Sequence, residues 1–275
     1  MQVTWAGYIG TTGLSAMDYL VSDIHSTRVD EEKFYSEEVL RMPDGYVCYD
    51  PPDYAPDVGP LPFKRNGTIT FGSFNNPSKL NAEVVSLWAQ ILHQVSHSRL
   101  LIKYRGIDSA TNIKRLTTMF EAKKIDQSRL NFEKFSPHTE LLARYNDVDI
   151  ALDPFPYSGG LTTLEAVWMG VPVITVPGET FVSRLSLSHL STMGLEELVA
   201  RDKDDYVELA VNLANDIEKL EHLRAELRDK MASSSVCDGQ RFADGFTKVM
   251  QQIWQVWCLS QNNGQDASIP KTPLH

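Results

Sequence analysis

The sequence predicts an α/β fold: a doubly wound parallel sheet followed by a group of helices. Three observations carry that expectation. From residue 68 to residue 176, short apolar runs alternate with helically spaced apolar residues, the signature of strands joined by helical crossovers. The connections have the length that parallel strands need. The chain has 275 residues, 42% hydrophobic and 23% charged. That size buries a core without disulfide or metal staples, and the composition is that of a globular protein.

In chain order, residues 2–6 read as a short strand, followed by a Gly-rich turn from Gly7 to Gly13. Residues 18–23 form a second strand bounded by acids, and residues 46–49 a third. Two or three strands with so little helix would leave a face of a parallel sheet uncovered. Residues 1–62 are therefore expected to be the remnant of a larger N-terminal lobe with its linker, the linker being the proline-rich run 50–62, which has no periodicity. Residues 63–258 make the main domain. There, 68–72 is a strand, and Val84, Val85, Trp88, Ile91, Leu92 and Val95 recur at helical spacing. Residues 100–104 are a strand, and Ile113, Leu116, Met119 and Phe120 mark the next helix. After a strand at 130–132, a helix opens at Ser136 with Pro137 in its first position. Residues 148–152 form a buried strand, 162–169 a helix and 171–176 a further strand. Beyond Asp204 the pattern is helical, closing on the apolar stripe Phe242, Phe246, Val249, Met250, Ile253 and Trp257. Residues 259–275 are polar and contain prolines, so they read as a disordered tail.

Charge narrows the function. The 26 basic and 36 acidic residues leave a net charge of −10, which excludes a duplex nucleic-acid reader, since such a protein must neutralise phosphates. Small anions stay possible through local donors. Cys48, Cys237 and Cys258 are too widely spaced for a disulfide framework or a zinc cluster, which points to a reducing, cytoplasmic compartment. No apolar stretch approaches the ~18 residues of a membrane span, and the start lacks a signal-peptide layout. No metal is expected: His25, His93, His97, His189 and His222 lack ligand spacing, and Asp147-Val148-Asp149 enters a buried strand.

The densest chemical signal is 152–165, Leu-Asp-Pro-Phe-Pro-Tyr-Ser-Gly-Gly-Leu-Thr-Thr-Leu-Glu. A strand ends, a Pro-aromatic turn follows, and Gly159 and Gly160 let backbone approach a ligand closely. A helix then starts on Thr162 and Thr163. Its first N–H groups carry roughly half a positive charge, which suits a diphosphate. Thr162-x-x-Glu165 fits a capping box equally well, and Glu165 could also accept from ribose hydroxyls. The second signal is 71–81, where Asn76, Ser78 and Lys79 cluster at another strand's carboxyl end. Lys79 could neutralise a leaving diphosphate; in isolation the same run is an Asn- and Pro-rich turn with a solvated lysine. Two such loops at corresponding ends of one sheet strengthen each other. His138, early in a helix at a strand's carboxyl end, is the one histidine that qualifies as a site candidate.

Residues 149–157 with Gly159-Gly160, then 168–173 (Trp-Met-Gly-Val-Pro-Val) and 177–179 (Pro-Gly-Glu), resemble the catalytic region of the protein O-GlcNAc transferase and SPINDLY family. Residues 71–75, and 5–8 with Gly10-Thr11-Thr12-Gly13, are similar to the same family. The likeness is colinear from about residue 2 to residue 258. It implies a GT-B fold: two Rossmann-like lobes with a nucleotide sugar between them, the nucleotide mainly on the C-terminal lobe. It also implies inverting, metal-independent, cofactor-free transfer of a sugar to Ser or Thr hydroxyls of protein acceptors. UDP-GlcNAc is the default donor. GDP-fucose is the alternative, because 235–239 (Ser-Val-Cys-Asp-Gly) resembles the SPINDLY branch.

Carried over by position, Lys79 matches the family lysine that faces the diphosphate and serves catalysis. Asn76, with Ser78 in the same loop, matches the polar residue near the nucleotide. Thr162 and Thr163 match the phosphate-binding helix start, Glu165 the ribose-binding acid, and Arg144 a nucleotide-side position. His138 falls where the human-type enzyme has a lysine, and the loop from Gly7 to Thr11 would touch the sugar from the other lobe. The chain departs from the family at Leu141, in place of a frequent histidine, at Leu161, where a run of threonines usually begins, and at Ile9, where proline is common. The tetratricopeptide repeats typical of the family and most of the N-terminal lobe are expected to be missing. A nucleotide-binding module without turnover is therefore the competing expectation. A related nucleotide-sugar epimerase should lack the 5–13 block.

Overall fold

The computed structural model describes residues 1–7 and 9–262. As the strand–helix alternation predicts, parallel sheets organise the chain, two of them among the described residues. The first has three strands, β1 (Val3–Thr4), β2 (Tyr19–Ser22) and β3 (Glu38–Arg41), in the order β1-β2-β3. Its side chains alternate across the pleat. Tyr19, Val21, Leu40 and Met42 face one side, Leu20 and Val39 the other.

After α1 (Pro62–Asn66) comes the second sheet, with β4 (Ile69–Ser73), β5 (Ser98–Lys103), β6 (Leu130–Glu133), β7 (Ile150–Leu152) and β8 (Val173–Ile174). Between these strands run α2 (Ala82–Gln94), α3 (Ala110–Glu121), α4 (His138–Arg144) and α5 (Leu161–Trp168). The helices α6 (Leu185–Thr192), α7 (Lys203–Asn215), α8 (Ile217–Ala232) and α9 (Gly239–Asn262) follow. All pairings are parallel, in the order β6-β5-β4-β7-β8. Successive strands therefore build outward from β4 in one direction and then, from β7, in the other. The reversal leaves a crevice beyond the carboxyl ends of β4 and β7, where open α/β sheets take ligands.

One continuous core holds this second sheet, centred on fully buried Phe71, Trp88 and Leu100. A polar thread runs through it: Trp88 Nε1 donates to Tyr206 Oη (3.0 Å), and the Tyr206 hydroxyl donates to the Asp153 carbonyl (3.0 Å). Helices α2 and α7 thereby fix the loop that leaves β7.

Four sequence expectations change. The third strand of the small sheet is β3, paired from Tyr19↔Glu38 to Ser22↔Arg41, and residues 46–49 are irregular. Val39-Leu40 is too short an apolar run to announce a strand without its partner. The few-stranded sheet also has both faces covered. Val249 and Ile253 of α9 pack on one, and Phe181 and Leu185 on the other, so the covering helix returns from the far end of the chain. Helix α4 begins at His138 with Pro137 as its cap residue, whose carbonyl accepts from Leu141 N (2.9 Å). Ser136 does not cap it, and its buried hydroxyl has no partner. Finally, α9 continues through residues 259–262, the start of the expected tail; residues 263–275 lie outside the described ones. Among the described residues no helix is long and apolar enough to cross a membrane.

Candidate functional site

The loop after β4 delivers a lysine to the crevice. Asn76 opens a tight turn, Pro77–Lys79, by accepting from Ser78 N (3.0 Å). The Arg115 guanidinium braces that turn by donating to the carbonyls of Pro77 (2.9 Å) and Leu80 (2.8 Å). Asn81 caps α2, accepting from Glu83 N and Val84 N, and its own amide donates to the Phe155 carbonyl (2.9 Å), joining the two loops. Lys79 Nζ then donates to the Ser158 carbonyl (2.8 Å) and to Asn75 Oδ1 (3.1 Å), and lies 4.3 Å from the Tyr157 ring centroid. An ammonium has three donors, so one stays uncommitted. Burial lowers the Lys79 pKa, and the nearby Asp153 carboxylate opposes that shift.

The loop after β7 supplies backbone donors. Asp153, buried, accepts from Gly159 N (2.6 Å) and Thr175 Oγ1 (2.7 Å). A side chain at Gly159 has no room: its Cβ would collide with Thr163 Oγ1 and stand 2.8 Å from Asp153 Oδ1. Helix α5 has Gly160 at its cap position and no side-chain cap. The capping box that Thr162-x-x-Glu165 suggests does not form. Thr162 Oγ1 donates to Asn75 Oδ1 (3.2 Å) and Glu165 is held by His138. The amides of Gly160, Leu161 and Thr162 therefore have no acceptor among the described residues, and these three residues line the cleft.

That cleft measures ≈ 720 Å³. Lys79, Asn76, Ser78, Gly160, Thr162 and Glu165 share its wall with Asn75. Residues 46–49 and Ile9 close it from the small-sheet side, and Leu141 and Leu161 also line it, so all three departures from the family pattern face this space. Glu165 is 4% exposed. Its Oε1 lies 2.8 Å from His138 Nε2, and His138 Nδ1 lies 2.8 Å from Tyr54 Oη. Burial raises the Glu165 pKa, with the His138 contact opposing it.

Other expected residues stand elsewhere. Gly159 lies behind the cleft wall, and Thr163 Oγ1 is buried 2.8 Å from Ser186 Oγ. Arg144 is taken up by Glu133 (2.6 Å) and Asp147 (2.5 Å), which hold its pKa up, and does not line the cleft. Thr11 lines an adjoining cavity of ≈ 630 Å³ that shares Ile9 with the first; its hydroxyl donates to Glu37 Oε2 (2.7 Å). Gly7 lines neither cavity, and its N–H donates to the Trp5 carbonyl (2.6 Å). Asn75, Tyr157, Tyr49 and Tyr54 were missed. The first two adjoin residues already singled out. Tyr54 sits in the aperiodic run 50–62 and carries no local signal, and Tyr49 lies in the run 46–49 that reads as a strand. Asp149 accepts from the amides of Thr70 and Phe63, as a strand-start acid does. Among the described residues, no group of three or more His, Cys, Asp or Glu could hold a metal.

Residues 62–246 match the family described as glycosyl transferase family 41. A Petunia hybrida protein described as a probable UDP-N-acetylglucosamine–peptide N-acetylglucosaminyltransferase SPINDLY is 39% identical over 94% of this chain and 28% of its own length. A variant of the Thermobaculum terrenum O-GlcNAc transferase matches with a TM-score of 0.88 and 36% identity, over 95% of this chain and 49% of that one. Sucrose-phosphate synthase from Thermosynechococcus elongatus, 13% identical with a TM-score of 0.61 over 88% of this chain and 60% of its own, shares the fold. The chain thus spans about 28% of the length of the SPINDLY relative. With a family match over most of its length, the chain belongs to glycosyltransferase family 41 and has the GT-B type of parallel-sheet architecture.

Proposed function

We propose that this chain binds a nucleotide sugar through its diphosphate, as the donor-binding part of an enzyme that moves the sugar onto Ser or Thr hydroxyls of proteins. One observation carries the reading: the Lys79 ammonium and the uncapped start of α5 converge on one cleft at the sheet's reversal point. A cation and oriented amides are what a leaving diphosphate needs as the glycosidic bond to the donor breaks, because negative charge accumulates on its oxygens. Glu165 accepts from ribose hydroxyls in this reading. Transfer is inverting, with no metal assigned a role. The printed names of the SPINDLY relatives support UDP-GlcNAc as donor and a peptide as acceptor. The three cysteines are free, in keeping with a reducing, cytoplasmic setting.

A second donor, GDP-fucose, is favoured by the SPINDLY-like run 235–239. It packs directly behind the cleft: Val236 is buried, and its carbonyl accepts from Tyr49 N (2.7 Å). Calorimetric titration of the chain with UDP and with GDP separates the two. Tighter UDP binding is the expected result, and a GDP preference would select the second donor. Binding of neither would overturn the nucleotide assignment.

A further inference from the structure

Glu165 ends a relay that begins in the proline-rich segment between the sheets. The Tyr54 ring stands edge-on to His138 (centroids 5.7 Å apart, planes at 82°), with Oη 2.8 Å from Nδ1. His138 Nε2 in turn lies 2.8 Å from Glu165 Oε1. An ionised carboxylate only accepts, so Nε2 carries a proton; where the ring is neutral, Nδ1 offers a lone pair, and the Tyr54 hydroxyl donates to it. Among the described residues no other donor reaches Glu165, so its second oxygen has no partner while the side chain lines the cleft. Tyr49 also lines the cleft. It is 9% exposed, and its enclosed hydroxyl has no partner.

We propose that Tyr54 is a positioning residue which, through His138, holds Glu165 as a pure acceptor, so that Glu165 selects a vicinal diol, ribose over deoxyribose. The proposal deepens the nucleotide-sugar reading and rests on it. Without the Tyr54 hydroxyl, Nδ1 turns to solvent and competes for the proton. The Nε2 lone pair then faces the carboxylate, which must rotate away or take up a proton, and in either case the acceptor is lost.

The test compares the better-bound nucleotide, UDP or GDP, with its 2′-deoxy counterpart. The wild-type chain should bind the deoxy form about tenfold more weakly. Tyr54→Phe should lower ribonucleotide affinity toward the deoxy value and leave the deoxy form unchanged. In a His138→Gln background, where an amide donates to Glu165 without any tautomer, Tyr54→Phe should add nothing. NMR of the ring nitrogens should show the Nε2–H tautomer of His138 in the wild type and a mixture in Tyr54→Phe. An Nδ1–H tautomer in the wild type would overturn the proposal. So would equal loss of ribo and deoxy affinity in Tyr54→Phe, which marks a merely structural role. If the nucleotide binds with no ribose preference, the diol selection fails alone. If no nucleotide binds, the nucleotide reading fails and takes the diol selection with it.

Discussion

The two sheets are stabilised by different physics. The five-stranded sheet lies in one continuous apolar core, whereas the three-stranded sheet has a thin apolar layer on each face. Its attachment to the rest relies on two fully buried charged residues. Asp23 accepts from the amides of His25 (2.9 Å), Ser26 (2.7 Å) and Tyr46 (3.0 Å), and from Ser188 Oγ of α6 (2.7 Å). Arg184 crosses in the opposite direction, donating to both oxygens of Glu31 (2.5 and 2.6 Å) and to the Gly178 carbonyl (2.7 Å). A spread-out apolar core loses stability in proportion to the side chain removed. A buried ion pair fails abruptly, because its surviving partner is stranded without compensation.

Removing Arg184 should separate the two regions most clearly. Arg184→Ala is expected to cost about 3–5 kcal/mol by denaturant unfolding. It should also split the transition, since Trp5 stacks on Phe242 beside the small sheet while Trp88 is buried in the large core. Fluorescence from the Trp5 region should change at lower denaturant than that of Trp88. A single transition at the wild-type midpoint would show that the ion pair does not join the regions.

Acid should discriminate next. Burial pushes the Glu37 carboxyl up, but hydrogen bonds from Thr12 and Thr11 outweigh it and bring the pKa from 4.5 to about 2. The unfolded chain then binds the proton first, so this stabilisation is full above pH 4.5 and drains away between there and about 2. His189 on α6, stacked on Tyr46, is held down by burial from 6.5 to about 4, with Asp23 opposing. Its contribution is full above 6.5 and falls away toward 4. Both losses fall on contacts of the small-sheet region. Thr12→Val should remove about 1.5–3 kcal/mol at neutral pH and flatten the lower acid window, which pH-dependent thermal melts would reveal. An unchanged acid profile in Thr12→Val would place the acid sensitivity elsewhere.

The large sheet was legible because its strands are self-announcing apolar runs, and the crevice residues Lys79, Thr162 and Glu165 sit where those runs end. The small sheet was less so. Glu38-Val39-Leu40-Arg41 becomes a strand only through its register with β2, and Tyr46-Val47-Cys48-Tyr49, which looks more like one, is spent on the cleft wall. The Thr162-x-x-Glu165 spacing was ambiguous for a definite reason: either side chain can cap or bind, and the deciding partners, Asn75 and His138, are distant in sequence. Tyr54 reaches the site by tertiary packing of an aperiodic segment, which no local pattern records.

The central claim is that Lys79 and the start of α5 form a diphosphate site. It is tested most directly by titrating UDP against UMP, and GDP against GMP, into the wild-type chain and Lys79→Ala. The wild type should prefer the diphosphate. Lys79→Ala should lose about tenfold of that preference while monophosphate affinity stays unchanged. A preference for the diphosphate that survives intact in Lys79→Ala would contradict the assignment.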